Sequence, residues 1–526
     1  MEPTHSGHPR RWLILGVLVV SLLVVILDTT VLNVALRVIA DPRHGLGASQ
    51  GDLEWAVNSY TLVFAGLLFT WGVLGDRLGR KKILLAGLLL FGLASAGSAY
   101  AQTPTQLIWA RAVMGIGGAA VLPATLAIIS NVFDPRERAR AIGAWAGAVG
   151  LGVAIGPVVG GLLLEHYWWG SVFLLNVPVV VAGLAAVAIL VPDSRDPRPG
   201  RLDVPGVLLS IAGLVLLVYG IIDGGEHGFG RPRSWGTLVA GVLILVLFVL
   251  VERRIAYPSL DVGLFREPRF SAAVASVGLV FFAAMGSMFF LSFYLQLVRG
   301  YSPLGAGLLM TPFAVAQLVF APRSAAMVRR FGPKAVCAVG LGLVAVAQGA
   351  LLLVGTQSPI WLVGATFFLQ GAGMANVMPP TTESIMSALP REKAGVGSAV
   401  ANTLRQIAGA LGVAVLGAVL AAVYRAGMRD QVAGLPAGVR TAAADSISGT
   451  YTAAAHLGTA GHALLAAGDS TFVTAMHAAG LGSVIAALLG LIVVLRWLPS
   501  RTAEHPAVPA TAAVGTPPDR AELVEV

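Results

Sequence analysis

The stretch GIGGAAVLPAT, residues 115–125, returns as GAGMANVMPPT, residues 371–381, with two glycines, a proline and a threonine in register. Two further pairs flank it. DRLGRK (76–81) is echoed by RRFGPK (329–334), and PRERARAIG (135–143) by PREKAGVG (390–397). The spacing between partners is nearly constant, so one half of the chain is a copy of the other in topology. Repeated halves are a common plan of secondary transporters, which place their site between the halves at the membrane midplane.

The composition agrees with a membrane setting. The chain has 526 residues, 56% of them hydrophobic and 12% charged, and its mean hydropathy is +0.81. No soluble fold hides that much apolar surface, so lipid is the solvent. Runs of about 20 apolar residues, the length of a spanning helix, recur near 12–37, 52–74, 83–101, 106–132, 139–163, 169–191, 204–223, 235–252, 269–297, 304–328, 335–356, 359–381, 396–424 and 470–497. The first run is too long for a signal-peptide core. The expected fold is an all-α integral membrane protein of 14 transmembrane helices. Two pseudo-symmetric six-helix bundles, 12–191 and 269–497, flank a linker (192–268) that carries two inserted helices. Residues 425–469 are expected as an external loop and 498–526 as a disordered cytoplasmic tail.

Charge sets orientation. Of 35 Lys and Arg, 24 fall in the N-terminus (1–11), in every second loop after it and in the tail, against 8 on the other side. By the positive-inside rule both termini are cytoplasmic. That placement reads the net charge of +9 as topology and contact with anionic lipid, not as a nucleic-acid surface. The single cysteine, Cys337, excludes intramolecular disulfides and cysteine metal clusters. None of the four lysines is followed by Ser or Thr, so a Walker A loop is absent and no ATP-driven step is encoded. No metal, cofactor or catalytic motif is expected.

Within the apolar runs a few residues stand out. Asp28, in VVILDTTVLNVAL (24–36), lies about 14 Å below the outer end of its span at the helical rise. A carboxylate there is costly unless neutralised, paired or wetted, and it suits a proton carrier. The plain alternative is a structural carboxylate satisfied by neighbours such as Thr29. Asn33, a turn away, could line the same polar face. Arg111 lies at a similar depth in span 4 and could form a gating pair with Asp28, or merely bond helix backbone. GAVGLGVAIGPVVGGLL (147–163) places Gly152, Gly156 and Gly160 in overlapping GxxxG steps, with Pro157 removing a helix hydrogen bond. It reads as a close-packing face or as a bend that excludes proton leak. GVLGDRLGRKK (72–82) carries Gly72, Asp76, Arg77, Gly79 and Arg80 at the cytoplasmic mouth, as a gate or as topology anchors. Arg405 faces a cavity or donates structural bonds. Phe290 and Tyr294, in FFAAMGSMFFLSFY (281–294), could form a cation-tolerant cavity wall or ordinary core.

Together these stretches resemble the major facilitator superfamily and, within it, the fourteen-helix drug:proton antiporters of the QacA type. LDTTVLNVAL is similar to that family's first-helix motif, GVLGDRLGRKK to its loop motif, RAVMGIGGAA (111–120) to its fourth-helix motif and GPVVGG (156–161, ending on Gly160 and Gly161) to its antiporter motif. The sequence departs from the pattern at Arg37, where proline is usual, and at Met114, where glutamine is frequent. The resemblance implies proton-coupled efflux of lipophilic, often cationic compounds across the bacterial plasma membrane. It implies Asp28 as the proton or cation site, Arg111 as relay, Asp76 and Arg77 as gate, and Gly156–Pro157 as the bend. Three rivals stand beside it: a dedicated exporter of one endogenous antibiotic, a solute:proton symporter, and a non-transporting receptor.

Overall fold

The computed structural model describes residues 8–195, 203–255, 258, 260–387, 394–457, 459–498 and 500. The segment 1–7 and the tail from 501 lie outside the described residues, as does part of 192–203. Among the described residues the secondary structure is helical throughout.

In the first half α1 spans Arg11–Ala40, α2 Gln50–Leu78, α3 Arg80–Ala99, α4 Pro104–Val132 and α5 Pro135–His166; α6 (Ser171–Leu174) and α7 (Asn176–Leu190) together form the sixth crossing. Two helices follow, α8 (Val204–His227) and α9 (Pro232–Glu252). The second half runs α10 (Pro268–Phe293), α11 (Pro303–Leu309), α12 (Thr311–Leu351), α13 (Ile360–Ser387), α14 (Ala394–Met428), α15 (Ala437–Asp445), α16 (Ile447–His456) and α17 (Thr459–Trp497). Thirteen described stretches are long and apolar enough to cross a membrane. The 32-residue α5, apolar over Leu151–His166, occupies the remaining one of the fourteen positions.

The repeat is visible in backbone detail. α2 gives way to α3 at Gly79 (φ 113°), and α12 bends at Gly332 (φ 81°), the matching position of RRFGPK. Both conformations are left-handed and favour glycine. α3 and α4 touch where Gly87 meets Gly117; α12 and α13 touch where Gly340 meets Gly373, the residues in register with them. A Cβ at Gly87 would come within 2.9 Å of the Gly117 carbonyl, and one at Gly340 within 2.7 Å of the Gly373 carbonyl. Such small-residue contacts are how helices associate in lipid.

The outward surface is apolar. On α9 Val239, Val242, Leu243, Val246, Leu247 and Leu250 are all exposed, a face only lipid satisfies. Exposed aromatics such as Trp12, Tyr100, Trp168 and Trp497 lie near helix ends, as at membrane interfaces. The chain is a multi-pass membrane protein.

One expectation needs correction. Residues 425–469, expected as an external loop, are mostly helical. α14 continues to Met428, two short helices follow, and α17 begins at Thr459, eleven residues before the expected span. The Tyr451 hydroxyl of α16 lies 2.8 Å from the Leu297 carbonyl and 3.0 Å from Asp469 Oδ1, with its one proton shared between the two acceptors. The segment is thereby fastened over the second bundle.

Candidate functional site

Asp28 and Arg111 meet. Nη1 of Arg111 donates to Oδ2 of Asp28, and both side chains are 1% exposed. The arginine does more than neutralise the acid. Its Nε donates to the Ala56 carbonyl of α2 at 3.1 Å, and its guanidinium lies over the Tyr60 ring, 4.4 Å from the centroid. The two alternatives for Arg111, ion pair or backbone bond, are therefore both realised by one planar group, a geometry lysine does not match.

The acid's second oxygen is held by a residue the sequence reading did not single out. Asn176 Nδ2, at the start of α7, donates to Asp28 Oδ1 at 3.2 Å and contacts Ser95 Oγ at 3.0 Å; Ser95 in turn donates to the Phe173 carbonyl at 2.8 Å. The pair is thus braced by α1, α2, α3, α4 and the α6–α7 junction. The signal for Asn176 was its place: a polar amide two residues before Pro178, inside an apolar run. Thr29 is not the donor to Asp28; its hydroxyl donates to the Ile26 carbonyl at 2.7 Å. Met114 takes up a polar role through sulfur, 3.9 Å from Arg111 Nη1 and 3.3 Å from Ser98 Oγ.

We expect Asn176→Leu, which keeps the branched outline of the side chain without its amide, to cost about 1–3 kcal/mol by leaving Asp28 Oδ1 without that partner. The check is a lower thermal midpoint in detergent together with a displaced pH profile of transport.

The remaining residues separate into groups. Asn33 does not join the pair; its amide donates to its own helix at Thr29 O (3.3 Å), while its carbonyl accepts from Ser292 of α10 at 2.5 Å. Gln296 Nε2 donates to the Val34 carbonyl at 2.9 Å. These bonds join the two bundles. On α5, Gly152 and Gly156 face Ile26 and Thr30 of α1, and Gly160 faces Val31, all within the first bundle. Gly161 points elsewhere, against the backbone of Pro303 and Leu304 in α11, and Gly307 sits against the Pro157 carbonyl. The glycine–proline stretch therefore has two faces: one packs within its bundle and the other seals against the second bundle. Gly161→Ala should wedge this seam, because the added methyl would meet the Leu304 backbone. We expect loss of most transport with the protein still in the membrane, read by activity per immunodetected copy.

In the loop motif Arg80 binds Asp76 Oδ1 through Nε (3.0 Å) and Nη2 (2.9 Å), and reaches the Ala127 carbonyl at 3.3 Å. Gly72 lies beside Pro123. These side-chain bonds of Asp76 and Arg80 remain within the first bundle, and the Arg80 backbone N–H donates to the Ser194 carbonyl just beyond it at 3.0 Å. Arg405 is half-buried on α14, its guanidinium 5.2 Å from the Phe281 ring centroid and its Nε unpartnered. Phe290 and Tyr294 do not line a cavity. Both are fully buried, and the Tyr294 hydroxyl donates to the Gly355 carbonyl at 2.8 Å, inside the second bundle.

The named contacts between bundles (Asn33–Ser292, Val34–Gln296, Pro157–Gly307, Gly161–Leu304) lie at the face opposite the basic loops. A seam closed at one face, with a buried acid–base pair beneath it, defines a two-bundle membrane transporter. The family model described as Major Facilitator Superfamily matches residues 18–413, and the chain belongs to that family. It is 36% identical over 457 residues to the multidrug efflux pump LfrA of Mycolicibacterium smegmatis, covering 86% of this chain and 90% of that one. It is 35% identical over 420 residues to the tetracenomycin C resistance and export protein of Streptomyces glaucescens, covering 80% and 78%. Among solved structures it resembles a bacterial homologue of the human lysosomal transporter Spinster, with TM-score 0.66, 19% identity, and coverage of 95% and 100%. That likeness concerns the fold.

Proposed function

We propose that this chain is a proton-driven exporter of lipophilic, often cationic drugs or antibiotics, working by alternating access in the bacterial plasma membrane. The observation that carries the reading is the buried Asp28–Arg111 pair, braced by Asn176. A carboxylate held away from water by an arginine and an amide can exchange one bound proton when the bundles rearrange. When Asp28 takes a proton, Arg111 loses its counter-charge and keeps the Ala56 carbonyl and the Tyr60 face. That change in pairing is the differential interaction an alternating conformational change requires. Relatives named for multidrug efflux and for antibiotic export support the substrate class.

The excess of Lys and Arg assigns the basic face and both termini to the cytoplasm. On that assignment the closed seam is the outer one. The driving ion is the proton, and neither ATP nor a bound cofactor takes part.

The test is dye and drug uptake into inverted vesicles with a substrate panel, with and without an imposed pH gradient. Gradient-dependent accumulation of several unrelated lipophilic cations is expected. Uptake indifferent to the gradient would remove the energetic scheme. Transport restricted to one compound of the panel would favour a dedicated exporter, the reading suggested by the relative named for tetracenomycin C resistance and export.

A further inference from the structure

A second buried acid stands at the seam. Glu54, in the second turn of α2, is 2% exposed. Its Oε1 accepts one long bond, 3.4 Å from Gln50 Nε2, and its Oε2 is buried without a partner. The facing wall is the second bundle: a Cβ at Gly417 of α14 would run into the Glu54 carboxyl, and Gln50 Nε2 donates to the Gly417 carbonyl at 3.1 Å. The carboxyl fills a notch that glycine leaves.

The surroundings offer it no counter-charge. The start of α2 is already served: Ser49 and Asp52 cap each other's backbone N–H, and the Gly51 N–H goes to Glu226 of α8 at 2.7 Å. Glu226 adds a like charge nearby. The other charged groups on elements packed against α2 are engaged or distant: on α1, Arg11 pairs with Glu137 and Arg37 acts on Tyr451, not on Glu54. On α8, Asp223 pairs with His227 at 3.2 Å. On α14, Arg405 and Arg425 lie about 18 and 12 Å along the helix from Gly417, at 1.5 Å per residue. Arg111 of α4 is held by Asp28 of α1, and Arg80, Lys81 and Lys82 of α3 are at the other face. Among the described residues no cation pairs with Glu54. An unpaired charge so buried is costly, and a carboxyl escapes that cost by holding a proton. One turn inward, Asn58 is fully buried with both amide atoms unpartnered, and the Tyr60 hydroxyl beyond it is unpartnered as well.

We propose that Glu54 is a second proton-binding site, and that it latches the outer seam: it enters the closed seam as the neutral acid and ionises when α14 withdraws from α2. Acid outside then favours closure and alkali favours opening. The proposal rests on the alternating-access part of the export reading. For one proton, the ratio of open to closed molecules changes by up to about tenfold per pH unit.

The experiment reads conformation rather than transport. Spin labels go on Tyr100→Cys and Leu353→Cys, both exposed and at matching positions of the two halves, with the buried Cys337→Ala. Pulsed electron spin resonance in nanodiscs from pH 5 to 8 then gives the separated fraction. Asp28→Asn serves as background, so that the main site does not titrate. The separated fraction is expected to rise with pH in that background, to respond less than about twofold once Glu54→Gln is added, and to respond again in Glu54→Asp. Gly417→Ala should raise the separated fraction at every pH. An undiminished response with Glu54→Gln overturns the latch, and so does a flat response with Glu54 present. Absence of gradient-driven export by the wild-type protein, alongside an intact pH response of the labelled variants, would sink the export reading and leave the latch standing.

Discussion

Asp28→Asn is expected to abolish gradient-driven accumulation while leaving the protein in the membrane. A gradient of two pH units is worth about 2.7 kcal/mol per proton, which sustains about a hundredfold concentration ratio for a one-proton exchanger. The wild type should approach that ratio in vesicles; the variant should reach the external concentration and stop. The substitution preserves shape and an oxygen acceptor for Arg111, and the arginine keeps the Ala56 carbonyl and the Tyr60 face. Uncoupling can therefore be distinguished from unfolding by substrate counterflow, which needs alternating access but no proton and should persist. Accumulation at the wild-type level would show that the proton travels by another group, and Glu54 would be the next to test.

The fold was legible because lipid imposes a simple rule: helices of about 20 apolar residues, with basic loops on one side. The repeat was legible because glycine is required at a left-handed turn and at a helix crossing, so Gly79 and Gly332, or Gly117 and Gly373, keep their places while the residues around them change. The meeting of Asp28 and Arg111 was legible from matched depth. Rotation about the helix axis was not. A helix apolar on all sides carries no pattern that says which side faces a neighbour, so a cavity wall and ordinary core are equally open for Phe290 and Tyr294, and in the structure both are buried. Glu54 was passed over because a residue near the end of a span reads as interfacial; its burial comes from α14, a helix more than 300 residues away in sequence. Asn176 needed a third helix to be brought beside the first and the fourth.

Arg111→Ala should be the most damaging single change to the site. It leaves Asp28 buried with one amide partner and removes the bond to Ala56 that ties α4 to α2. Breaking a buried pair by deleting one member costs about 3–5 kcal/mol, because the other charge is left uncompensated. The aspartate can avoid the penalty by staying protonated, which would fix the carrier in one state and end coupling even in molecules that fold. Two readouts follow from this. The thermal midpoint in detergent should drop sharply in Arg111→Ala. The double variant Asp28→Asn with Arg111→Gln, which removes both charges and keeps polar groups at both positions, should recover part of that loss, since a neutral pair is often no less stable than the ions it replaces. Gradient-driven transport should be absent from both. Arg111→Lys keeps the charge and loses the planar fork, so it should regain more stability than transport. If Arg111→Ala transported with an unchanged pH profile, the arginine would be a brace between α2 and α4, and the proton chemistry would rest on the carboxyl of Asp28 with Asn176 beside it.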